Sequence, residues 1–292
     1  MTSFAALGIV RGLRWWTWHR PLPKSRPMRR HFHKMHGLGN DFVIVDAREQ
    51  PFEVTPALAR AIADRRTGVG CDQLIVLEPS ETADLKMRIW NQDGGEVESC
   101  GNATRCVVQL TGARAIESAG GMLTGENLGA EVEVALPEPR FGWDEIPLAY
   151  AMDTNALPMA WDRLEHPFAV NVGNPHLVFF VDDLSVPLDE IGPAIENDPA
   201  FPERINVNVA AFVQGRLKLR TFERGAGETL ACGTGACASA VAAIATKRAA
   251  SPVQVDMTGG SLTIDWEPGQ PIRMRGGATH VFEGSLDLEA LA

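Results

Sequence analysis

No apolar run in this sequence approaches the roughly 18 residues that a membrane-spanning helix needs. The cysteines number five, an odd count, and include no Cys-x2-Cys zinc clamp. The chain also lacks the basic start and long apolar stretch of a secretory signal. A disulfide framework is therefore not expected, and a reduced, cytoplasmic compartment is. No Gly-Lys-Ser/Thr follows Gly225-Ala226-Gly227, so it is not a phosphate loop, and there is no dinucleotide-binding glycine fingerprint. No lysine sits in a setting that suggests a Schiff base. A net charge of -10 argues against nucleic acid as a partner.

Acidic residues are missing from positions 1–34, which hold eight Lys and Arg; 27 less those 8 leaves 19 basic against 37 acidic residues in the remainder. This stretch also holds Trp15, Trp16, Trp18, Pro21, Pro23 and Pro27. Residues 1–30 read as a leader, disordered or not native, with Met28 as a candidate start. An Arg-rich transit segment is the alternative reading.

At 292 residues the chain can bury a sizeable core and fits two medium domains. An internal repeat favours two. Gly95-Glu96-Val97-Glu98-Ser99-Cys100-Gly101-Asn102 returns 132 positions later as Gly227-Glu228-Thr229-Leu230-Ala231-Cys232-Gly233-Thr234. Upstream, Arg88-Ile89-Trp90 matches Arg220-Thr221-Phe222, and Gly39-Asn40 matches Gly173-Asn174 at nearly the same spacing. Each copy thus carries one cysteine in the same local setting.

The patterning alternates between strand and helix. Phe42–Val45, Leu74–Leu77, Leu85–Trp90 and Glu131–Leu136 read as strands. Thr55-Pro56 opens a helix that Gly68 and Gly70 close. A second helix starts at Cys100 and ends at Gly112. Residues 137–167, rich in Pro, Trp and acid, read as a linker. Beyond it, Val170, Leu177–Val181, Asn206–Val213, Leu217–Phe222, Val253–Met257, Ser261–Trp266 and Val281–Phe282 read as strands. Asp189–Ile195 reads as a short helix and Thr234–Ile244 as the longest. The fold class expected is α+β, with one long helix buried in each half.

Cys100 and Cys232 each begin a helix and precede a glycine. Free backbone N–H groups and the positive end of the helix dipole should lie beside each sulfur. That setting lowers a thiol pKa and can also hold a carboxylate. Two opposed thiols suit proton removal from one face of a carbon and return on the other. As alternatives, the pair are buried apolar residues or a redox pair. Cys71, Cys106 and Cys237 read as core.

Met35-His36-Gly37-Leu38-Gly39-Asn40-Asp41-Phe42, Gly68-Val69-Gly70-Cys71-Asp72-Gln73-Leu74, Gly173-Asn174-Pro175-His176 and the run from Glu223 to Cys237 resemble the diaminopimelate epimerase family. The resemblance covers residue 31 to the C-terminus. It implies an epimerase that needs neither pyridoxal phosphate nor any other cofactor, and no metal. Its substrate would be a small-molecule amino acid, LL- or meso-2,6-diaminopimelate, on the route to lysine and peptidoglycan. Carried over, Cys100 and Cys232 would be the acid/base pair, assisted by His176 and Glu223. Asn40, Gln73, Asn91, Gly101, Asn102, Asn174, Asn206, Glu223, Arg224, Gly233 and Thr234 would bind substrate. The resemblance implies two pseudo-symmetric α+β domains, each a curled, mostly antiparallel sheet around a central helix, with the site in the cleft between them. Residues 31–145 with 279–292 would form one domain and 146–278 the other, in a homodimer. A sister isomerase acting on proline or hydroxyproline is the rival reading. Asn102-Ala103-Thr104, Gln92, Gly95 and Arg275-Gly276-Gly277-Ala278 depart from the commoner family residues.

Overall fold

A computed structural model describes residues 29–98 and 100–291. The leader 1–28, the start at Met28 included, lies outside the described residues. The first half runs β1 (Arg29–Gly37), β2 (Asn40–Asp46), α1 (Pro56–Ala63), β3 (Gln73–Glu78), β4 (Leu85–Asn91), β5 (Glu96–Val97), α2 (Gly101–Thr111), β6 (Ala115–Ser118), β7 (Gly121–Asn127) and β8 (Val132–Leu136). A hairpin, β9 (Ala160–Trp161) and β10 (Leu164–Glu165), follows. The second half runs β11 (Phe168–Asn171), β12 (Pro175–Phe180), α3 (Leu188–Glu196), β13 (Asn206–Val213), β14 (Arg216–Glu223), β15 (Gly227–Thr229), α4 (Gly233–Ala245), β16 (Val253–Met257), β17 (Gly260–Asp265), β18 (Ile272–Gly276), β19 (Thr279–Asp287) and α5 (Leu288–Leu291).

The repeat seen in the sequence is a repeat of pairings. β2 runs parallel to β3 with Phe42 opposite Gln73, and β12 parallel to β13 with His176 opposite Asn206. β4 runs parallel to β6, and β14 to β16. The other pairings in each half are antiparallel. Each half therefore has two helical crossovers, one short helix (α1, α3) and one longer one (α2, α4), and the longer is the buried helix expected in each half. The halves meet at β8 and β18, which pair antiparallel with Val134 opposite Met274. These are equivalent positions in the two copies, so the ladder is self-paired about a pseudo-twofold. β19 returns to pair with β1.

Local chemistry sets the helix ends. Thr55 Oγ1 accepts the Leu58 N–H at 3.2 Å, and Pro56 fills the first turn where its missing N–H costs nothing. α1 stops at Ala63 rather than at Gly68, because the N–H groups of Val69 and Gly70 fold back onto the Ile62 carbonyl. Gly112 caps α2 at φ 72°, its N–H bonded to Val108 O at 2.8 Å.

α4 is built almost wholly of Ala, Gly, Cys, Val and Ile and is buried from Ala236 through Ala243. A helix apolar all round belongs in a core, and small side chains let the sheet curl tightly about it. α2 and α4 pack within one continuous core that also takes in Val134 and Met274. The segment 137–167 is not a loose linker. Its Ile146, Leu148, Leu157 and Leu164 are buried in a second core with Phe179, Leu188 and Ile195. Among the described residues no helix is long and apolar enough to cross a membrane.

Candidate active site

The N-termini of α2 and α4 are brought against one another at the pseudo-twofold. Met274, fully buried, fills the space between them. A Cβ placed on Gly101 would stand 2.9 Å from Met274 Cε, and one on Gly233 would stand 3.2 Å from Met274 Sδ. Glycine at both helix starts lets them close on the same side chain without displacing it. A direct bond joins the loops: Asn102 Nδ2, from α2, donates to Ala231 O at 3.3 Å, next to Cys232. Cys100 and Cys232 occupy the N-cap positions of the two helices, both with extended backbone, and both are free thiols.

The two sulfurs differ in their helix-end contacts. Cys232 Sγ accepts the Gly235 N–H at 3.4 Å and lies 3.5 Å from Thr234 Oγ1. Cys100 Sγ makes no such cap bond; the nearby amides of Ala103 and Asn102 only draw its pKa down. The sequence alone suggested thiols easier to ionise than usual. The structure corrects this. Burial pushes Cys100 up to about 11, the Glu223 carboxylate adds to it, and the amides offset only part. Burial and Glu223 likewise hold Cys232 well above the ordinary thiol value. Loss of water around a thiolate outweighs the helix dipole here. Glu223 thus acts on both thiols, while Thr229 Oγ1 donates to its Oε1. Cys71, Cys106 and Cys237 are buried too and are each pushed up to about 12.

In the first half, Asn40 joins the loop at β2 to the start of α2. Its Oδ1 accepts from Asn102 Nδ2 at 3.2 Å and faces Cys100 Sγ at 3.8 Å; its Nδ2 donates to Asp72 at 2.9 Å. Gln73 and Asn91 are cross-strand partners on β3 and β4, bonded at 2.8 Å. Among the described residues Gln73 Oε1 is buried without a hydrogen-bond partner, an acceptor open to a ligand donor.

In the second half the corresponding pair is Asn206 and Glu223, one step along the ladder from Val207 opposite Phe222. Asn206 Oδ1 accepts the Arg224 N–H at 3.0 Å, and its Nδ2 donates to Pro175 O at 2.8 Å. Asn174 Nδ2 reaches Thr234 Oγ1 at 3.4 Å, as Asn40 reaches α2 in the other copy. Fully buried His176 holds Asn174 in place. Asn208 Nδ2 donates to His176 Nδ1 at 3.0 Å, so His176 Nε2 carries the proton and donates to Asn174 Oδ1 at 2.9 Å. Burial, with Arg224 nearby, drops the His176 pKa to about 3, so the ring is neutral. Arg224 itself is exposed and donates to Glu203 O at 2.9 Å.

The structure therefore gathers Asn40, Asn102 and Cys100 at one helix start and Asn174, Thr234 and Cys232 at the other, with Gln73–Asn91 and Asn206–Glu223 on the flanking ladders. The Arg224 guanidinium lies at the rim instead. Sequence reasoning missed Asp72, Arg105, Asn208 and Met274. Asn208 had a signal: it sits two residues from Asn206, so the strand period puts both on one face. Arg105 had none, since nothing local marks an arginine as fully buried.

The fold is shared with solved structures of low sequence identity. A phenazine biosynthesis protein of the PhzF family from Bacillus anthracis matches with TM-score 0.63 and 17% identity, over 88% of this chain and 99% of that one. A hydroxyproline epimerase from Agrobacterium vitis, with bound trans-4-hydroxy-L-proline, matches with TM-score 0.63 and 13% identity, over 89% and 93%. The profile of diaminopimelate epimerases matches residues 32–136 and 168–281. Diaminopimelate epimerase from Rhizorhabdus wittichii is 62% identical over 267 residues, covering 90% of this chain and 97% of that protein. The corresponding protein of Sphingopyxis alaskensis is 62% identical over 259 residues, covering 88% and 97%. The isomerase class, of the racemase and epimerase kind, follows from the family match. The chain belongs to the diaminopimelate epimerase family.

Proposed function

We propose that this protein interconverts LL- and meso-2,6-diaminopimelate by a two-base mechanism, without a cofactor, on the route to lysine and peptidoglycan precursors. The observation that carries the reading is the pair of N-cap thiols, Cys100 and Cys232, at two helix starts that close on Met274 and share the Glu223 field. One sulfur, as thiolate, takes the α-proton from one face. The other, as thiol, delivers its proton to the opposite face. The proton count is unchanged, and the two thiols exchange protonation states.

The intervening carbanion needs its carboxylate held by fixed donors, since nothing else in the reaction absorbs the charge. The amides of Gly101, Asn102, Gly233 and Thr234 are positioned for that at the two helix starts. Asn40, Gln73, Asn91, Asn174 and Asn206 supply acceptors and donors for the remaining polar groups, and Glu223 and Arg224 pair with the distal amino-acid end. His176 assists through Asn174, as a neutral donor rather than a charged acid. The raised thiol pKa values support a free enzyme that holds both protons and ionises one thiol only when the substrate's ammonium group comes beside the sulfur and replaces lost water. Each thiol comes from a different unit, 31–145 with 279–292 and 146–278. We also carry over a cytoplasmic homodimer; among the described residues β19 forms a ladder with β1 alone and exposes Val281 and Phe282, which supports a partner there.

Proton NMR of LL-diaminopimelate with the enzyme in deuterated water tests the reading. The α-proton should exchange as the meso form appears. Cys100→Ala and Cys232→Ala should each lower turnover by about 10²–10⁴-fold or more. Full epimerisation by either single variant would refute it. Turnover of proline or hydroxyproline in place of diaminopimelate would favour the sister isomerase.

A further inference from the structure

We propose that His33, His280 and Glu283, with His31 beside them, form a surface site for a divalent transition-metal cation, with zinc the ion whose geometry fits. None of these residues belongs to the thiol site, and the proposal does not depend on the reaction assigned to it.

The site is made by a register shift. β1 and β19 pair antiparallel with His33 opposite Glu283 and Lys34 opposite Phe282. The next pair is Met35 opposite His280, which leaves Val281 as an extra residue in β19. In a regular strand His280 would face away from Glu283, because successive side chains alternate. The bulge turns it to the same face, the re-aiming that such insertions perform. The three ligand atoms then converge, all within 4.8 Å of one another. His33 Nδ1 stands 3.2 Å from His280 Nε2 and 3.7 Å from Glu283 Oε2. His31 Nε2 lies 3.6 Å from the same oxygen. With zinc bonds to nitrogen and oxygen of 2.0–2.2 Å in a tetrahedron, ligand atoms sit about 3.3–3.5 Å apart. The two His33 separations, 3.2 and 3.7 Å, lie on either side of that spacing.

The donor set has the right chemistry. Imidazole and carboxylate are borderline-to-hard ligands that suit zinc and its neighbours in the first transition row. A single proton can bridge the two ring nitrogens; a cation would engage both rings and the Glu283 carboxylate together. Glu283 and His31 remain well exposed, so an ion and a water ligand can enter. The contact joins residues 247 positions apart, so a bound ion would staple the returning strand β19 to β1.

The test uses full-length protein freed of metal by chelation and then dialysis. Zn²⁺ chloride is titrated against a chromophoric chelator, and Co²⁺ chloride is followed by its visible absorption. We expect one ion per chain, tetrahedral-type cobalt bands without a sulfur charge-transfer band, and a higher melting temperature with Zn²⁺. His33→Ala and His280→Ala should each weaken binding by about 10-fold or more and abolish the thermal shift, with metal-free melting and epimerase activity unchanged. Equal affinity in wild type and both variants would overturn the proposal. So would a sulfur-to-cobalt band, which places the ion on a thiol, or the absence of saturable binding.

Discussion

Arg105 Nη2 donates to Asn102 Oδ1 at 2.8 Å, with both side chains buried. Arg105 makes no ion pair among the described residues. Its other bonds go to Met274 Sδ at 3.5 Å and Gly277 O at 3.4 Å. By taking Oδ1, Arg105 leaves Asn102 Nδ2 to bond Asn40 and Ala231, so a single guanidinium orients the tie between the two helix starts. Its charge also draws the Cys100 pKa down.

Arg105→Met should therefore affect the reaction without touching substrate. A lost hydrogen bond to a charged group is worth about 1.5–3 kcal/mol. Turnover should fall with little change in KM, and the alkaline limb of the pH–rate profile should move to higher pH. An unmoved profile with only a lower melting temperature would reduce Arg105 to a packing role.

The thiols set the pH dependence of the free enzyme. With Cys100 near 11, only on the order of 10⁻⁴ of that thiol is ionised at pH 7. Alkylation of Cys100 by iodoacetamide should rise steadily through pH 8 to 10 with no plateau. kcat/KM, which reports free-enzyme groups, should climb over the same range. A plateau near pH 7 would mean that the helix amides prevail over burial.

His176 governs acid stability. Its folded pKa, about 3, lies below its ordinary 6.5. The unfolded chain binds the proton first, so stability is complete above pH 6.5 and is lost as pH falls toward 3. The loss is on the order of several kcal/mol. His176→Gln should flatten the melting temperature across pH 6 to 4, at the cost of a displaced Asn174 and slower turnover at neutral pH.

Met274→Ala removes the wedge between Gly101 and Gly233. The cavity should cost about 2–5 kcal/mol of stability. The two helix starts should lose their spacing, so turnover should fall further than binding of a substrate analogue. Met274→Leu, similar in volume, should recover most of both.

The local cap at Thr55 and Pro56 and the left-handed end at Gly112 were legible because helix ends are set by residues in direct contact. So was the repeat, since both copies kept their cysteine loops. β7 was missed because it is exposed along most of its length and shows no alternation. β1 hid its pattern under Arg29, Arg30, His31, His33 and Lys34; it begins at Arg29, so the leader read as 1–30 overran the strand by two residues. The segment 137–167 looked like a linker from its Pro and Trp content, yet its apolar residues anchor a core of their own. The direction of the thiol shifts could not be read from neighbours in sequence. Desolvation depends on the packing of β14, α2 and α4 around the sulfurs.

The ladder in which Val134 lies opposite Met274 has a bearing on ancestry. Split apart, each half would show a bare strand of five residues, a raw edge prone to aggregate. A single-unit forebear could have closed that edge by meeting a second molecule of itself, strand against identical strand. Fusion of the two genes would then have freed Arg105 and Cys237, at matching places in the repeat, to become different residues.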